Sequence, residues 1–577
     1  MRITTSSCPS IGLMVDFLAT GYQRDIMEGV SRTAAARGAN LLVFVGGWFM
    51  DESLNSEGNA VYRQIGKGGV DGVIAAMSTL TNAIGVEAGQ RVLQRIPVPQ
   101  VSVGLSVPGV PSVGVDNRAG LASLCRHLVG DHGYRRFAMI AGPEQNGESR
   151  ERIEVCQQTL TEFGVTLTED RITRQGFQIT SGKEGIRELL DRRRVSPDSL
   201  DAIICASDLI AEGALIELGE RGVRVPKDIA LTGFDDLDRA RYLIPPLSSV
   251  HQPLIDLGSM AARSLFQLID GPDVPPNIVL PSRQVLRGSC GCTGAKSDSI
   301  PAAKNPAPGA GGRSLGGALQ LMRRRDLICA ALARAAQGRF TAAEMGWESR
   351  WVMGLFSDLG DRADTGFLSQ LEGTLLNLAE KRGQLDLCQE LLGVFRAQAL
   401  IGLEDSAVLR RLEDLLHSAR LMTSSSLERL EVRRRLETTA ALDGALFCVS
   451  RLIRLVGHPD FWNRLQHDLI ELGIHTCFVT RYAQTADSSR YVFGFSTVEE
   501  LPKDLEKKTF PSMALLPGDL NRRTRDYPLV VQALVSQRQP LGTLLLSLTA
   551  KDVATYEPFG ALVALALSHA PELTPTG

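Results

Sequence analysis

The sequence predicts an α/β fold: two doubly wound parallel-sheet lobes, then an all-helical segment and a smaller α+β domain. Three observations predict it. Short, almost wholly apolar runs alternate with helical stretches through residues 10–289, apolar residues recur at helical spacing through 315–456, and strand-like runs return in 457–577. Apolar strands separated by helices are typical of parallel sheets covered on both faces. Two such series in succession predict two lobes.

The first lobe begins with a strand, a helix and three further strands. The helix is "YQRDIMEGVSRTAAARG", with Ile26, Val30 and Ala34 on one face. The strands are "IGLMVDF", "NLLVFVGG", "DGVIAAM" and "VPQVSVG". The alternation restarts after "VGVDNRAG" and predicts the second lobe. Its helices are "LASLCRHLVGDHG", "ESRERIEVCQQTLTEFG", "GKEGIRELLDRRR" and "DLIAEGALIELGERG", and its strands are "RFAMIAGP", "DAIICAS" and "DIALTGF".

Polar and aromatic side chains follow several of these strands directly. They are Asp16, Trp48, Phe49, Ser207, Asp208, Asp235 and Asp236. Open sheets of this kind bind ligands beyond the carboxyl ends of their strands. Carboxylates, a hydroxyl and rings together suit a polar, neutral or weakly basic small molecule. The alternative for Asp208 is that it caps the helix that follows it, and we favour this interpretation. Asp235 is the predicted ligand contact, and Asp236 is expected to hold the local geometry of the loop.

Five separated motifs follow one another along the predicted lobes: "VDGVIAA", "VGVDNRAG", "HLVGDHGYRRFAMIAGP", "ASDLIAEGALIELGERGVRVPKDIALTGFDD" and "YLIPPLSSVHQPLIDLGSMAARSLFQLIDG". In order and spacing they resemble the ligand-sensing core of the LacI/GalR family. The resemblance implies a type I periplasmic-binding-protein fold whose lobes close on an effector. It places Arg152 and Asp235 at effector-contacting positions and Ser207 where the family has an Asn; a surface charge is the alternative for Arg152. The predicted ligand set is Asp16, Tyr22, Trp48, Arg152, Ser207 and Asp235.

The chain departs from this family at its start. Repressors of the family begin with a helix-turn-helix, whereas here the first predicted strand opens at Ile11. Ten residues cannot form a recognition helix, so we expect a sensor without a DNA-reading head at that end. Residues 290–314, rich in Gly, Pro, Ala and Ser, predict a flexible linker. "RGSCGC" at its start resembles the ending of those sensors of this type that are joined to signalling modules.

The later segments predict a helical signalling or dimerisation region and a sensory domain. Leu442, Leu446, Val449, Ile453 and Val456 follow coiled-coil spacing over only about two heptads, so packing inside a bundle is equally compatible. From residue 457 a helix, two strands, a "PLGTLLLS" hairpin and a final helix resemble a GAF-like domain.

Composition limits the partners and the location. The net charge of −3 gives no overall attraction to nucleic acid. The first apolar run is broken by Gly12 and Asp16, and no window reaches the ~18 apolar residues of a membrane span. Ten scattered cysteines are typical of free thiols in a reducing compartment. We therefore expect a cytoplasmic protein with no membrane partner.

We also expect neither metal nor cofactor nor catalysis. The two thiols of "SCGC" do not make a zinc site by themselves, and no second Cys/His pair lies close in the sequence. Phosphate-cradling, nucleophile-elbow and metalloprotease motifs are missing from the sequence. Adjacent carboxylates on an extended segment point to opposite faces, which argues against Asp235 and Asp236 as a catalytic pair.

The sequence therefore favours a ligand-responsive regulator. A sugar or nucleoside-like metabolite would close the lobes, within a homodimer, and a separate signalling or DNA-binding partner would read the result. The alternatives are a regulator that binds DNA through its C-terminal region and an exported solute-binding protein.

Overall fold

The structure is a computed structural model, and its described residues fall into two compact units, 1–300 with 441–577 and 301–440. The described ranges are 9–18, 21–54, 58–66, 69–271, 274–292, 322–336, 346–359, 366–379, 385–401, 403–483, 488–502, 505, 508–517, 520, 527–537, 539–548 and 557–569, with side chains left out at 376–379, 385–386, 428–444, 446 and 557–558. The predicted linker lies outside these ranges from residue 293 onward.

The first lobe is a parallel sheet with helices on both faces. Its strands are β1 (Ser10–Val15), β2 (Asn40–Val45), β3 (Gly72–Ala75), β4 (Gln100–Val103), β5 (Ser112–Val115) and β11 (Asn277–Leu280), in the order β11-β5-β4-β3-β1-β2. Helices α1 (Gly21–Ala36) and α8 (Leu254–Asp270) pack together over one core, and α2 (Met77–Leu80) and α3 (Gly85–Leu93) contribute to another. The predicted strands and first helix are confirmed; β5 and β11 are additions.

The second lobe is a smaller parallel sheet. Its strands are β6 (Phe137–Ala141), β7 (Ile172–Arg174), β8 (Ala202–Cys205) and β9 (Ala230–Thr232), in the order β7-β6-β8-β9. Its helices are α4 (Asn117–Gly130), α5 (Gly147–Thr161), α6 (Ile179–Arg187) and α7 (Asp208–Glu220). Strand β10 (Ser249–His251) lies where the chain passes from β9 back to α8. It pairs in an antiparallel ribbon with β12 (Arg283–Val285), which follows β11. The two predicted parallel-sheet lobes are therefore present.

The last part of the chain is an α+β domain. It comprises α14 (Phe461–Glu471), β13 (Thr476–Tyr482), β14 (Ser488–Ser496), β15 (Thr509–Pro511), β16 (Leu529–Ser536), β17 (Gln539–Ser547) and α15 (Glu557–His569). Its antiparallel strands run in the order β16-β17-β13-β14-β15. The predicted strands and helices are confirmed, with β15 in addition. The GAF-like assignment stays a prediction.

A feature that the sequence does not predict joins this domain to the first lobe. Strand β16 pairs in parallel with β2, with Val530 opposite Val43 and Val531 opposite Phe44. The two sheets thereby form one eleven-stranded sheet. A single apolar cluster beneath it contains Phe44 and Tyr62 of the lobe together with Phe478 and Leu545 of the C-terminal domain.

A buried polar contact lies beside this joint. The Thr543 hydroxyl donates to Gln64 Oε1 at 3.3 Å and lies 2.9 Å from the Thr480 hydroxyl. The Gln64 amide also donates to the Tyr482 hydroxyl. Polar groups buried at the joint are therefore hydrogen-bonded to one another across it.

The helical segment consists of α9 (Arg325–Ala336), α10 (Trp347–Leu359), α11 (Phe367–Ala379), α12 (Leu385–Leu400) and α13 (Ser406–Leu452). Trp351, Phe367 and Phe395 are buried at its core and contact one another. The last α-helix ends at Leu452, and a 3-10 turn over Ile453–Leu455 continues it. Of the residues in the predicted seam, Ile453 is 52% exposed, whereas Val449 and Val456 pack against a core cluster. Leu442 and Leu446 lie outside the described side chains. Among the described residues, no helix combines the length and apolarity needed to cross a bilayer.

The joint between the lobe and the C-terminal domain is testable by a near-isosteric substitution. Thr543→Val keeps the shape of the side chain but leaves Gln64 Oε1 without this donor, so we expect the free energy of unfolding to fall by about 1–3 kcal/mol. Thr509→Val, at an exposed position of β15, should leave it within about 0.5 kcal/mol. Urea unfolding measures both; equal stability of the two variants would contradict the buried contact.

Candidate functional site

One cavity of about 580 Å³, including the part open to solvent, lies at the carboxyl ends of strands from both lobes. Fifteen residues line it: Asp16, Tyr22, Gln23, Trp48, Ser78, Thr79, Asn82, Glu148, Arg152, Phe177, Gln178, Ser207, Leu209, Asp235 and Leu237. All six predicted ligand residues are among them.

Asp16 holds three neighbouring side chains of the first lobe in place. Its Oδ1 accepts hydrogen bonds from Gln23 at 2.7 Å and Thr79 at 2.9 Å, and its Oδ2 accepts one from the Trp48 indole at 3.0 Å. Burial raises the pKa of Asp16, although these hydrogen bonds lower it. Asp16 therefore fixes the orientation of Trp48, a role that strand-end position alone does not predict.

Aromatic side chains give the cavity flat apolar surfaces. Trp48 lies edge-on to Phe17, with ring centroids 5.8 Å apart, and Phe177 lines the cavity from the second lobe. Burial, followed by the negative charge of Glu148, raises the pKa of Tyr22 above its usual value, so its phenol is a neutral hydrogen-bonding group. Phe49, the other ring predicted beyond the second strand, is wholly buried against Tyr62 and does not line the cavity.

Arg152 is a buried residue of α5 and not the surface charge that was its alternative. Its side chain is only 4% exposed, and its guanidinium carbon lies 3.8 Å from the centre of the Phe234 ring. Nε donates to Asn117 at 3.1 Å and Nη1 donates to the Ala206 carbonyl at 2.7 Å. Its Nη2 lies 3.8 Å from Glu148 Oε2. These contacts hold a cation against the cavity wall.

The helix cap after β8 differs from the prediction. Ser207 is the N-cap residue of α7, and its hydroxyl accepts from the Ile210 amide at 3.2 Å. The cap predicted for Asp208 is therefore wrong. Asp208 instead accepts from the Leu237 amide at 2.7 Å and from the Ser249 hydroxyl at 2.6 Å, so it ties the Asp235 loop to the crossing ribbon. Ser207 itself lines the cavity, as predicted.

The adjacent acids Asp235 and Asp236 occupy an unusual backbone turn and have different partners. Their φ angles are +113° and +56°, a region that residues other than glycine rarely adopt. The Asp235 amide donates to Val250 at 2.9 Å, and the Asp236 amide donates to the Ser249 hydroxyl at 3.2 Å, so the ribbon fixes the turn. Backbone strain of this kind clusters at functional sites.

Asp235 faces the cavity. Its Oδ1 accepts from Gln252 at 2.6 Å. Burial raises the pKa of its carboxyl to about 7, although the charge of Arg152 lowers it. A carboxyl of this kind exchanges its proton close to neutral pH, so it can accept hydrogen bonds as the carboxylate or donate one as the acid.

Asp236 holds the loop, as predicted. It forms ion pairs with Arg287 at 2.5 Å and with His251 at 3.1 Å. Burial raises its pKa, but the hydrogen bond from His251 and the charge of Arg287 outweigh burial, and the net pKa is lowered. The two acids therefore act separately, one in the cavity and one in the loop.

A direct contact between the lobes lies beside the cavity. Asn146 of the second lobe donates to the Ser78 carbonyl at 2.7 Å and to Asn82 Oδ1 at 2.8 Å, both in the first lobe. Ser78 and Thr79 also follow a strand, β3, although they are not among the predicted ligand residues. Phe177 and Gln178 follow β7, a three-residue strand too short to predict.

Comparisons with known proteins bear on the two-lobed part of the chain. Residues 125–290 match the family model described as a periplasmic binding protein-like domain. This part of the chain, which includes the second lobe, is therefore similar to periplasmic-binding-protein-like domains. The predicted resemblance to LacI/GalR sensing domains is supported at this level, and the predicted absence of a helix-turn-helix stays a prediction.

Three relatives illustrate the similarity. The HTH-type transcriptional regulator CelR of Thermobifida fusca is 35% identical over 207 residues, 33% of this chain and 59% of CelR. The HTH-type transcriptional repressor CytR of Escherichia coli is 27% identical over 283 residues, 48% of this chain and 79% of CytR. A solved CelR–cellobiose complex, 29% identical, covers 49% of this chain and 85% of its own, with a TM-score of 0.43. The chain thus spans about three fifths of the length of CelR.

The ion pairs of Asp236 give a pH-dependent prediction. Asp236→Asn removes a buried charge that pairs with Arg287, so we expect the free energy of unfolding at pH 7 to fall by about 3 kcal/mol. Because folding lowers this pKa, the stabilisation is complete above the unfolded value of about 3.9 and is lost as the pH falls below it. The difference in the free energy of unfolding between the wild type and Asp236→Asn, measured by urea unfolding, should therefore shrink towards pH 3.

Asp238→Asn is the matched control, because Asp238 is an exposed acid of the same loop. We expect this substitution to change the free energy of unfolding by no more than about 0.5 kcal/mol. A loss of stability for Asp236→Asn that is the same at pH 7 and pH 3 would contradict the ion-pair role.

Proposed function

We propose that this protein is a ligand-responsive regulator whose two-lobed domain binds a sugar or a nucleoside-like metabolite, and that it is not an enzyme. The observation that carries the proposal is the cavity at the strand ends, which is lined by all six residues in the predicted ligand set. The relatives named above, which are transcriptional regulators and repressors, support regulation as the purpose of binding.

The chemistry of the lining supports a polyhydroxylated ligand. Asp16, Glu148 and Asp235 offer acceptors for ligand hydroxyls, and Arg152 offers a donor. The buried Oε1 of Gln23 has no hydrogen-bond partner within the described part of the chain, so it is available to a ligand donor. Trp48 and Phe177 offer flat surfaces to the apolar face of a sugar ring or a base. Metabolites with many hydroxyls and one apolar face match both kinds of surface.

The position of β2 supports transmission to the C-terminal domain. Trp48 follows this strand at the cavity, and the strand itself pairs with β16. The Asn59 amide donates to the carbonyls of Gly46 and Trp48, both at 2.8 Å. Asn59 is the second residue of a short 3-10 helix, Gly58–Gln64, whose last residue is hydrogen-bonded to Thr543. We propose that closure moves this helix against the C-terminal sheet.

The output is proposed to be read by a separate partner protein, from a homodimer, with residues 457–577 acting as a GAF-like domain. Coupling of this kind requires that the ligand bind one lobe arrangement more tightly than the other.

A screen of the full chain against sugars and nucleosides tests the binding function. We expect at least one compound to raise the midpoint of thermal unfolding and to change the fluorescence of Trp48, a change that Trp48→Phe should abolish. For that compound, Asp235→Asn should raise the Kd by about tenfold to a hundredfold, because a charged hydrogen-bond acceptor is lost. Titration calorimetry measures the Kd.

Asp238→Asn again serves as the control and should bind like the wild type. If the carboxylate form of Asp235 is the acceptor, wild-type affinity should fall about tenfold between pH 7 and pH 5.8 and level off above pH 8, because this group binds a proton near pH 7. The affinity of Asp235→Asn should lack this dependence. A screen without any stabilising compound would count against the proposal.

Direct DNA binding is the second candidate, and it is favoured by the relatives named above, which are HTH-type transcriptional regulators. Under the leading proposal, a mobility-shift assay with the full chain at physiological salt should show only weak, sequence-independent binding that modest added salt abolishes. Tight, sequence-specific binding that responds to the ligand would show that the partner is DNA itself and not a separate protein.

A further inference from the structure

Four side chains capable of binding a metal converge at the end of the second lobe, outside the cavity. His127 lies in the last turn of α4, His132 follows that helix, and Cys290 and Cys292 lie more than 150 residues later. One nitrogen or sulfur atom of each lies within 4.8 Å of those of the other three. The cluster combines two imidazoles with two thiols, the ligand types that zinc prefers in structural sites.

Four of the six separations between these atoms fit a shared tetrahedral ion. The two Nε2 atoms are 3.1 Å apart, and Cys292 Sγ lies 3.3 Å from the Nε2 of His127 and 3.5 Å from that of His132. Cys290 Sγ lies 3.7 Å from His127 Nε2. Bonds of about 2.3 Å to sulfur and about 2.0–2.1 Å to nitrogen in a tetrahedron require separations of about 3.3 Å for N–N and about 3.6 Å for N–S.

Surrounding groups hold the ligands in this arrangement. His127 Nδ1 lies 2.6 Å from Asp131 Oδ2, so its N–H donates there and its Nε2 lone pair faces the cluster. The His132 ring stacks on Tyr134, and the Tyr134 hydroxyl donates to the Cys290 carbonyl at 3.2 Å. Carboxylate–histidine contacts of this kind are usual behind zinc ligands.

The residue between the two cysteines is suited to this close approach. Gly291 has a φ of +102°, and a β-carbon there would lie 2.7 Å from the Tyr134 hydroxyl. Glycine therefore lets the chain turn Cys290 and Cys292 towards the same histidines without the backbone strain that another residue would have there.

A cluster held by hydrogen bonds alone is the alternative, and it accounts for the geometry less well. The Cys290 thiol can donate to the Arg287 carbonyl at 3.3 Å. However, once Nδ1 of His127 donates to Asp131, its Nε2 has a single lone pair, and three neighbouring atoms lie within 3.7 Å of it. One lone pair cannot accept three hydrogen bonds, whereas a cation shared by all four groups satisfies each of them.

We propose that His127, His132, Cys290 and Cys292 bind one Zn²⁺ ion as a four-coordinate structural site. Two thiolates balance the charge of the ion, which suits a site where Cys290 is wholly buried and His127 is 8% exposed. Four protein ligands leave no open position for substrate, so the site fixes structure. Sequence spacing alone predicts no metal here, because the histidine pair is remote in the chain.

The full chain, purified from cells grown with added zinc and without chelator, tests the proposal. Elemental analysis should find about one zinc per wild-type chain and a near-complete loss in the Cys290→Ser/Cys292→Ser double variant. Replacement of zinc by Co²⁺ should give the visible bands of tetrahedral cobalt and a thiolate charge-transfer band, both missing from the double variant.

Cys329→Ser and His467→Ala are the controls, because these residues are partly or largely exposed and lie in other parts of the chain. Both should keep the full zinc content and the cobalt spectrum. Circular dichroism checks folding; if the double variant is unfolded, His132→Ala, which keeps both thiols, should bind Co²⁺ at least tenfold more weakly than the wild type.

Two results would overturn the site. One is a folded wild-type chain that contains no zinc and gives no thiolate–cobalt band when Co²⁺ is added. The other is zinc content that the cysteine and histidine substitutions leave unchanged.

Discussion

Parallel pairing within each lobe is the constraint on which the candidate site depends. Because neighbouring strands run in the same direction, the residues that follow β1, β2 and β3 meet at one edge of the first sheet, and those that follow β8 and β9 meet at one edge of the second. The crossing segments then bring the two edges together around one cavity. Asp16, Trp48 and Thr79 are thereby hydrogen-bonded although they come from separate strands.

The same sheet explains how the C-terminal domain is attached. In a two-lobed domain by itself, β2 would be an edge strand with unpaired backbone groups. Here β16 supplies those partners, and apolar side chains from both sides close the core beneath the joint. A strand that borders the ligand cavity at its end and another domain along its length is well placed to transmit a change in one to the other.

The sequence predicted the parts of this arrangement that depend on local patterns. Long apolar strands and amphipathic helices have a clear periodicity, so most elements of both lobes were predictable, and the rule of strand ends placed Asp16, Trp48, Ser207 and Asp235 on the cavity. The prediction of Arg152 depended on the family resemblance. A strand as short as β7 shows no clear periodicity in the sequence, so the position of Phe177 at its end is not predictable.

The sequence does not predict contacts between residues that are distant in the chain. Ser207 and Asp208 are equally good helix caps by residue type. Only the approach of Leu237 and Ser249 from later in the chain decides that Asp208 ties loops together and leaves the cap to Ser207. The pairing of β16 with β2 joins residues almost 500 positions apart, and no local pattern in either strand names the other.

The segment from Arg287 to Cys292 connects the cavity loop with the proposed metal site. Arg287 pairs with Asp236, the neighbour of the predicted ligand contact, and its backbone amide donates to the Ser248 hydroxyl at 2.7 Å. Three residues later Cys290 is buried beside His127. This short segment is therefore held at one end by the loop that aims Asp235 and at the other by α4. A metal bound at its far end would limit how far Arg287 can move, so the metal would stabilise the strained turn of Asp235 and Asp236 without touching it.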